Sequence, residues 1–188
     1  MDRRQRKTRD AVFEAFISLL NEKSYSKITV GEIIERADIG RATFYSHFET
    51  KDFLLKALCE ELFCHIFDCM QGEAERHHHI FDCDAPDSVF LHLFEHIAKN
   101  DNHILKLLSG DNNELFLNYF KKGVTEIIRS SHEDFKKSFC DRLPEDFITN
   151  HIAVTFVETV RWWIKNKMKL SPEEINSYFN SVIKGEEI

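Results

Sequence analysis

Residues 29–51 read TVGEIIERADIGRATFYSHFETK, and this stretch decides the fold. Thr29-Val30-Gly31-Glu32 has the S/T-x-x-E form of a capping box, in which the Thr hydroxyl takes an early backbone N–H and the Glu reaches back. Val30, Ile33, Ile34 and Ala37 then recur at helical spacing and supply one apolar stripe. Asp38-Ile39-Gly40 breaks that pattern, and a second helix starts at Arg41. In it Phe44 and Phe48 lie four apart on one face, whereas Arg41, Ala42, Thr43, Tyr45 and His47 fall off that face and point outward. The stretch is two short helices joined by a tight turn.

The outward set suits a DNA major groove. An Arg guanidinium can donate twice to a guanine edge, and Ala or Thr can rest against a thymine methyl. Tyr, His and Thr can bond phosphate oxygens. The same periodicity also fits a solvated helix in an ordinary helical protein.

In the T-V-x-x-I-x-x-x-A run, in R-A-T-F-Y-x-H-F, and in Lys51 three residues beyond, the segment resembles the N-terminal DNA-binding domain of the TetR/AcrR family of bacterial transcriptional regulators. The resemblance implies an all-α protein, with a three-helix helix-turn-helix domain over 1–50 and a helical regulatory and dimerisation domain over 51–188. It also implies a cytoplasmic homodimer on a palindromic operator, acting as a repressor released by a small apolar effector. The DNA-contact set it implies is Thr29, Arg41, Ala42, Thr43, Tyr45, His47 and Lys51. Two departures stand out. Asp38 occupies the turn where the family has Gly, at some cost in a left-handed conformation. Gly40 stands where the family starts its recognition helix with Ser or Thr; it still caps acceptably, but lacks a hydroxyl for phosphate.

Charge is distributed to match. The chain of 188 residues carries a net −7, yet residues 1–51 hold 10 Lys/Arg against 8 Asp/Glu, net +2. Most of that excess is Arg3, Arg4, Arg6, Lys7 and Arg9, and the remainder of the chain is acidic. Such asymmetry orients a molecule on a polyanion. Only 6 Gly and 3 Pro argue for helix throughout. No 18-residue apolar run predicts a membrane span, and the N-terminus lacks the apolar core of a signal peptide. Five Cys, an odd number, point to free thiols in a reducing cytosol.

Taken in order, the pattern predicts a first helix over about 9–22, with Tyr25 in the following loop packing inward or touching phosphate. Thr50 caps a long helix to about Gln71, and Lys51 sits against its dipole as a phosphate contact would require. Residues 72–87 read as a loop or a frayed helix end. Helices follow over about 87–99, 102–108 and 113–137. Pro144 stands at the first position of the next, which runs to about Lys167, and Ser171-Pro172-Glu173-Glu174 opens the last. The closing pattern of R-W-W, N-x-M and S-P-E-E is similar to the C-terminal domain of TetR-like regulators of Firmicutes, with Lys167 where their turn often carries Gly.

Seventeen Phe serve mainly as core. In TetR-like proteins the C-terminal helices also enclose an effector pocket, for which Phe90, Phe94, Phe116, Tyr119, Phe120, Phe156 and Trp163 are the candidates.

The competing chemistry is a metal- or thiol-responsive regulator on the same fold. Cys59, Cys64, His65, Cys69, His77, His78, His79 and Cys83 crowd the 59–83 segment. His65 and Cys69, and separately His92 and His96, are four apart, as ligands sharing a helix face are. Against this, a step of five rotates Cys59, Cys64 and Cys69 by about 140° each, and no C-x-x-C exists. No metal ligand and no cofactor is therefore assigned. A catalytic role is not expected, because phosphate-loop, nucleophile-elbow and H-E-x-x-H motifs are all missing. A helical adaptor without DNA binding is the remaining class, and the basic N-terminal segment argues against it.

Overall fold

The computed structural model describes residues 3–70, 88–99, 104–109, 114–130 and 143–184, and among these every regular element is helical. The order is α1 (Arg3–Glu22), a 3-10 turn (Tyr25–Lys27), α2 (Val30–Arg36), α3 (Arg41–His47), α4 (Lys51–Met70) and α5 (Val89–Lys99). It continues through α6 (Ile104–Ser109), α7 (Glu114–Ser130), α8 (Glu145–Lys165) and α9 (Pro172–Lys184). The expected loop over 72–87, the helix beyond residue 130 and the His77–His79 cluster lie outside the described residues.

Helix ends follow the side chains. At α2 the capping box is complete: the Glu32 N–H donates to Thr29 Oγ1 at 3.3 Å and the Thr29 N–H to Glu32 Oε2 at 2.9 Å. The bond from Lys23, with those from Thr29 behind it, holds the Glu32 carboxyl down at about 2. Thr50 Oγ1 accepts the Phe53 N–H at 3.0 Å and so caps α4. Ser171 and Glu174 form a second reciprocal box at α9. Two boundaries differ from expectation. The α1 helix begins six residues early, at Arg3 rather than Arg9, because Arg, Gln and Lys all propagate helix and no Gly or Pro interrupts them. Pro144 is the N-cap of α8, one residue outside the first helical position.

Both departures from glycine fall where the backbone turns left-handed. Asp38 has φ 51°, and Lys167 and Met168 have φ 61° and 50°. Each turn is a Schellman motif: Ile39 N donates to Ile34 O at 3.2 Å, and Met168 N to Trp163 O at 2.9 Å. Trp163 Nε1 also donates to Leu170 O at 3.0 Å, which fixes the exit from α8. The family turn is thus kept without its glycine, at a strain cost. Lys167→Gly is expected to stabilise the protein by about 0.5–1 kcal/mol, the relief of strain less the added freedom of the unfolded chain. A thermal melt should show a rise of roughly 1–4 °C. An unchanged or lowered midpoint would mean the Lys side chain contributes more than its backbone costs.

The core runs continuously from α1 to α9. In the N-terminal part Phe13, Phe16, Ile33, Phe44 and Phe48 are fully buried, and Arg36 clamps α2 to α1 through Ser18 and Glu22. The α4 helix leaves this part and packs on α5 and α7, which makes it the element shared by both halves. Close approach of α4 and α7 depends on Gly123. A Cβ there would lie 2.2 Å from the Phe63 ring, which itself rests 5.4 Å from Phe120.

Candidate nucleic-acid interface

The α3 helix has only seven residues and is held by its inner face. Phe44 and Phe48 are both 0% exposed, and Phe48 meets Phe13 of α1 edge-on at 5.6 Å. That anchoring turns Arg41, Ala42, Thr43 and Tyr45 outward, all exposed, with Tyr45 at 51%. His47 is half-buried against Phe48. A Tyr that exposed, next to a buried Phe, is well placed for a polar contact beyond the protein.

Beside α3 lies the first turn and a half of α1. Arg3, Arg4, Arg6 and Lys7 are exposed there, and no acidic residue sits in the first turn to offset the positive helix end. Cations at that end are mutually unfavourable and gain from a polyanion. Arg4, Gln5 and Thr8 share one shallow groove with Ala42, Thr43, Ser46 and His47. Gln5, Thr8 and Ser46 were not expected from sequence. Ser46 stands four residues from Ala42 on the same side, which is the signal that could have found it. Arg9 is different: its guanidinium donates to Glu61 of α4 at 3.1 and 3.3 Å and lies over the Phe13 and Phe48 rings. It joins α1 to α4 and leaves four exposed cations.

Two expected contacts are already engaged within the protein. Thr29 Oγ1 donates to Glu32 Oε2 at 2.9 Å as part of its cap. Lys51 Nζ donates to Tyr25 O at 2.9 Å and Ile28 O at 2.8 Å, and lies 4.2 Å from the Tyr25 ring. Those carbonyls explain how a Lys is tolerated at the start of α4, and burial pushes its ammonium below the usual lysine value. Tyr25 packs edge-on to Phe16 and donates to Asp52; burial first, and the Asp52 bond after it, push its phenol well above the ordinary value. The turn before α2 is therefore fastened to the start of α4.

In the C-terminal half Phe90, Phe94, Phe116, Phe120, Phe156 and Trp163 are each no more than 2% exposed. They pack on one another, with Phe94 4.8 Å from Phe156, Phe90 5.1 Å from Phe156 and Phe94 5.7 Å from Trp163. Tyr119 stands apart, lining a groove between α4 and α7 with Lys56, Phe63, Cys64 and Lys122. Neither Cys59 nor Cys64 is in a disulfide; Cys59 is buried, and that burial drives its thiol upward, away from redox reactivity. No described helix is long and apolar enough to cross a membrane.

Comparison with known proteins agrees with this geometry. Residues 12–58 match the family model for bacterial regulatory proteins of the tetR family, and residues 84–185 match a transcriptional regulator C-terminal region. A solved TetR transcriptional regulator from Streptococcus agalactiae 2603V is 33% identical, covers 97% of each chain and superposes with a TM-score of 0.74. The HTH-type regulator YxbF of Bacillus subtilis is 39% identical over 36% of this chain, a match spanning only 18% of YxbF itself. The biofilm operon negative regulator IcaR of Staphylococcus epidermidis is 24% identical over 84% of this chain and 83% of its own. With both halves matched and the 33%-identical Streptococcus agalactiae regulator aligned over 97% of each chain, the chain belongs to the TetR family of DNA-binding transcriptional regulators.

Proposed function

We propose that this protein represses transcription as a homodimer on a palindromic operator in the cytoplasm. The 1–50 segment binds DNA and 51–188 dimerises and receives the signal. The observation that carries the reading is the exposed face of α3 set beside four exposed cations of α1. Arg41 reads a base edge or a phosphate, Ala42 and Thr43 lie close to bases, and Tyr45, His47 and Lys51 act on phosphates. Thr29 contributes only if its hydroxyl leaves Glu32. Repression is supported by IcaR, a negative regulator by name. Anisotropy with labelled DNA from upstream of the gene itself, against an equal length of unrelated sequence, tests the reading.

The dimer follows from size and from surface. One seven-residue recognition helix covers too few base pairs, and two half-sites one or two helical turns apart multiply specificity. The α8 helix exposes Phe147, Val154 and Trp162 along a helical stripe, and α9 exposes Tyr178 and Val182. Pairing these helices with their two-fold mates would bury both stripes as a four-helix bundle. Trp162→Glu, on the 49%-exposed side of α8, should leave the fold intact and yield monomer. Light scattering would show half the mass, and operator affinity should fall about 100-fold or more. A dimeric Trp162→Glu protein would move the interface elsewhere.

A signal reaches DNA through α4, which is pinned to the helix-turn-helix by Lys51, Asp52 and Glu61 and packs on α5 and α7 at its other end. A small apolar effector would enter where Tyr119 borders the aromatic cluster and would have to part its rings. Its effect is limited to its differential affinity for the two positions of α4.

A further inference from the structure

Three histidines meet in the core where α4 crosses α5. His65, His92 and His96 are 4%, 1% and 0% exposed, and one ring nitrogen from each lies within 4.8 Å of the others. His92 and His96 stand on successive turns of α5 with their Nε2 atoms 3.1 Å apart. The His65 ring closes the set, its centroid 5.5 Å from His92 and 5.0 Å from His96. Desolvating several ring nitrogens costs free energy that apolar side chains of similar volume would not incur. The cluster therefore invites a ligand that rewards imidazole in particular.

We propose that His65, His92 and His96 form a three-imidazole site for a divalent first-row cation of the Zn2+ class, and that its occupancy sets the position of α4. Two imidazole nitrogens on a tetrahedral Zn2+, each ~2.0–2.1 Å from the metal, lie about 3.3 Å apart. The His92–His96 pair already has that separation within a few tenths of an ångström. The His65 nitrogen lies within 4.8 Å of the other two, and bringing it to the ~3.3 Å that a shared tetrahedral ion requires draws α4 toward α5. The donor set is all nitrogen, which suits Zn2+, Co2+, Ni2+ or Cu2+ and disfavours Mg2+ and Ca2+. Three protein ligands leave a fourth position for water or a small anion. This regulatory role rests on the reading of α4 as the link to the operator-binding face.

Full-length protein stripped by a chelator and titrated with CoCl2 should develop the visible absorption of tetrahedral Co2+, saturating at about one ion per chain, and ZnCl2 should abolish it. His65→Leu should bind Co2+ more than ~100-fold more weakly while melting cooperatively, since a lost direct ligand costs more than the 10–100-fold typical of its supporting partners. The His77→Ala/His78→Ala/His79→Ala protein should bind as the wild type does. Absence of the spectrum in wild-type protein overturns the site, as does binding that survives His65→Leu or vanishes with the His77–His79 substitutions. In parallel, ZnCl2 should change operator affinity by about 5-fold or more in the wild type and leave His65→Leu unaffected. Co2+ binding with no effect on operator affinity overturns the regulatory role. Failure to bind DNA with or without metal counts against the operator reading instead, because the spectrum needs no DNA.

Discussion

Replacing Phe44 by alanine is expected to destabilise the protein by about 3–5 kcal/mol, the usual cost of truncating a fully buried Phe. Against a typical total of about 5–15 kcal/mol, that is a large share. The reason lies in α3 itself. At seven residues it is too short to persist as an isolated helix, so it stands only because Phe44 and Phe48 seat it on α1. A melt followed by circular dichroism should show the loss as a much lower midpoint, and operator binding should go with it. Tyr45→Ala is the matching control. With half its surface exposed, Tyr45 should cost no more than about 0.5 kcal/mol of stability and yet weaken operator binding. A Phe44→Ala protein that melts like the wild type would show that α3 is seated by something other than its aromatic face.

The second large effect concerns the four exposed cations of α1. Changing Arg3, Arg4, Arg6 and Lys7 together to Ala should weaken DNA binding by about 100-fold at moderate salt, equally for operator and unrelated DNA. Every phosphate that is no longer neutralised lowers the slope of log K against log salt by about 0.9, so two per protomer in a dimer lower it by roughly 3–4. Stability should barely change, because these side chains are exposed on the surface of α1. Lys51→Ala makes an instructive contrast. It removes one proposed phosphate partner and also strips the Ile28 carbonyl of its Lys51 donor, while the Tyr25 carbonyl keeps only the Ile28 N–H, so both the salt slope and the melting midpoint should fall. A quadruple variant with an unchanged salt slope would place the DNA on another face.

Local signals carried most of the helix-turn-helix and the start of the last helix. The Thr29–Glu32 box, the 4-residue Phe44–Phe48 step and the Ser171–Glu174 box are all i to i+3 or i+4 relations, and such relations are visible in one dimension. What stayed hidden is what depends on distant partners. Arg9 reads as one more basic residue until Glu61, fifty-two positions on, claims it. Lys51 reads as a free phosphate ligand until the Tyr25 and Ile28 carbonyls are brought under it. His92 and His96 show as a helix-spaced pair, but His65 joins them only because α4 packs on α5. The Phe-rich C-terminal half illustrates the same limit. Periodicity marks Phe90, Phe94 and Phe156 as inward-facing, and only packing shows that they face each other.

The most direct test of the account is the discrimination of α3 for its operator. Purified protein should bind upstream DNA from its own locus saturably, with two protomers per site, at least ~1,000-fold more tightly than unrelated duplex at the same salt. Arg41→Ala, on the exposed face of a helix whose seat it does not touch, should reduce that ratio while leaving the melting midpoint unchanged. Equal affinity for both duplexes, or a specificity ratio indifferent to Arg41→Ala, Thr43→Ala and Tyr45→Ala alike, would contradict the assignment of this face to base recognition.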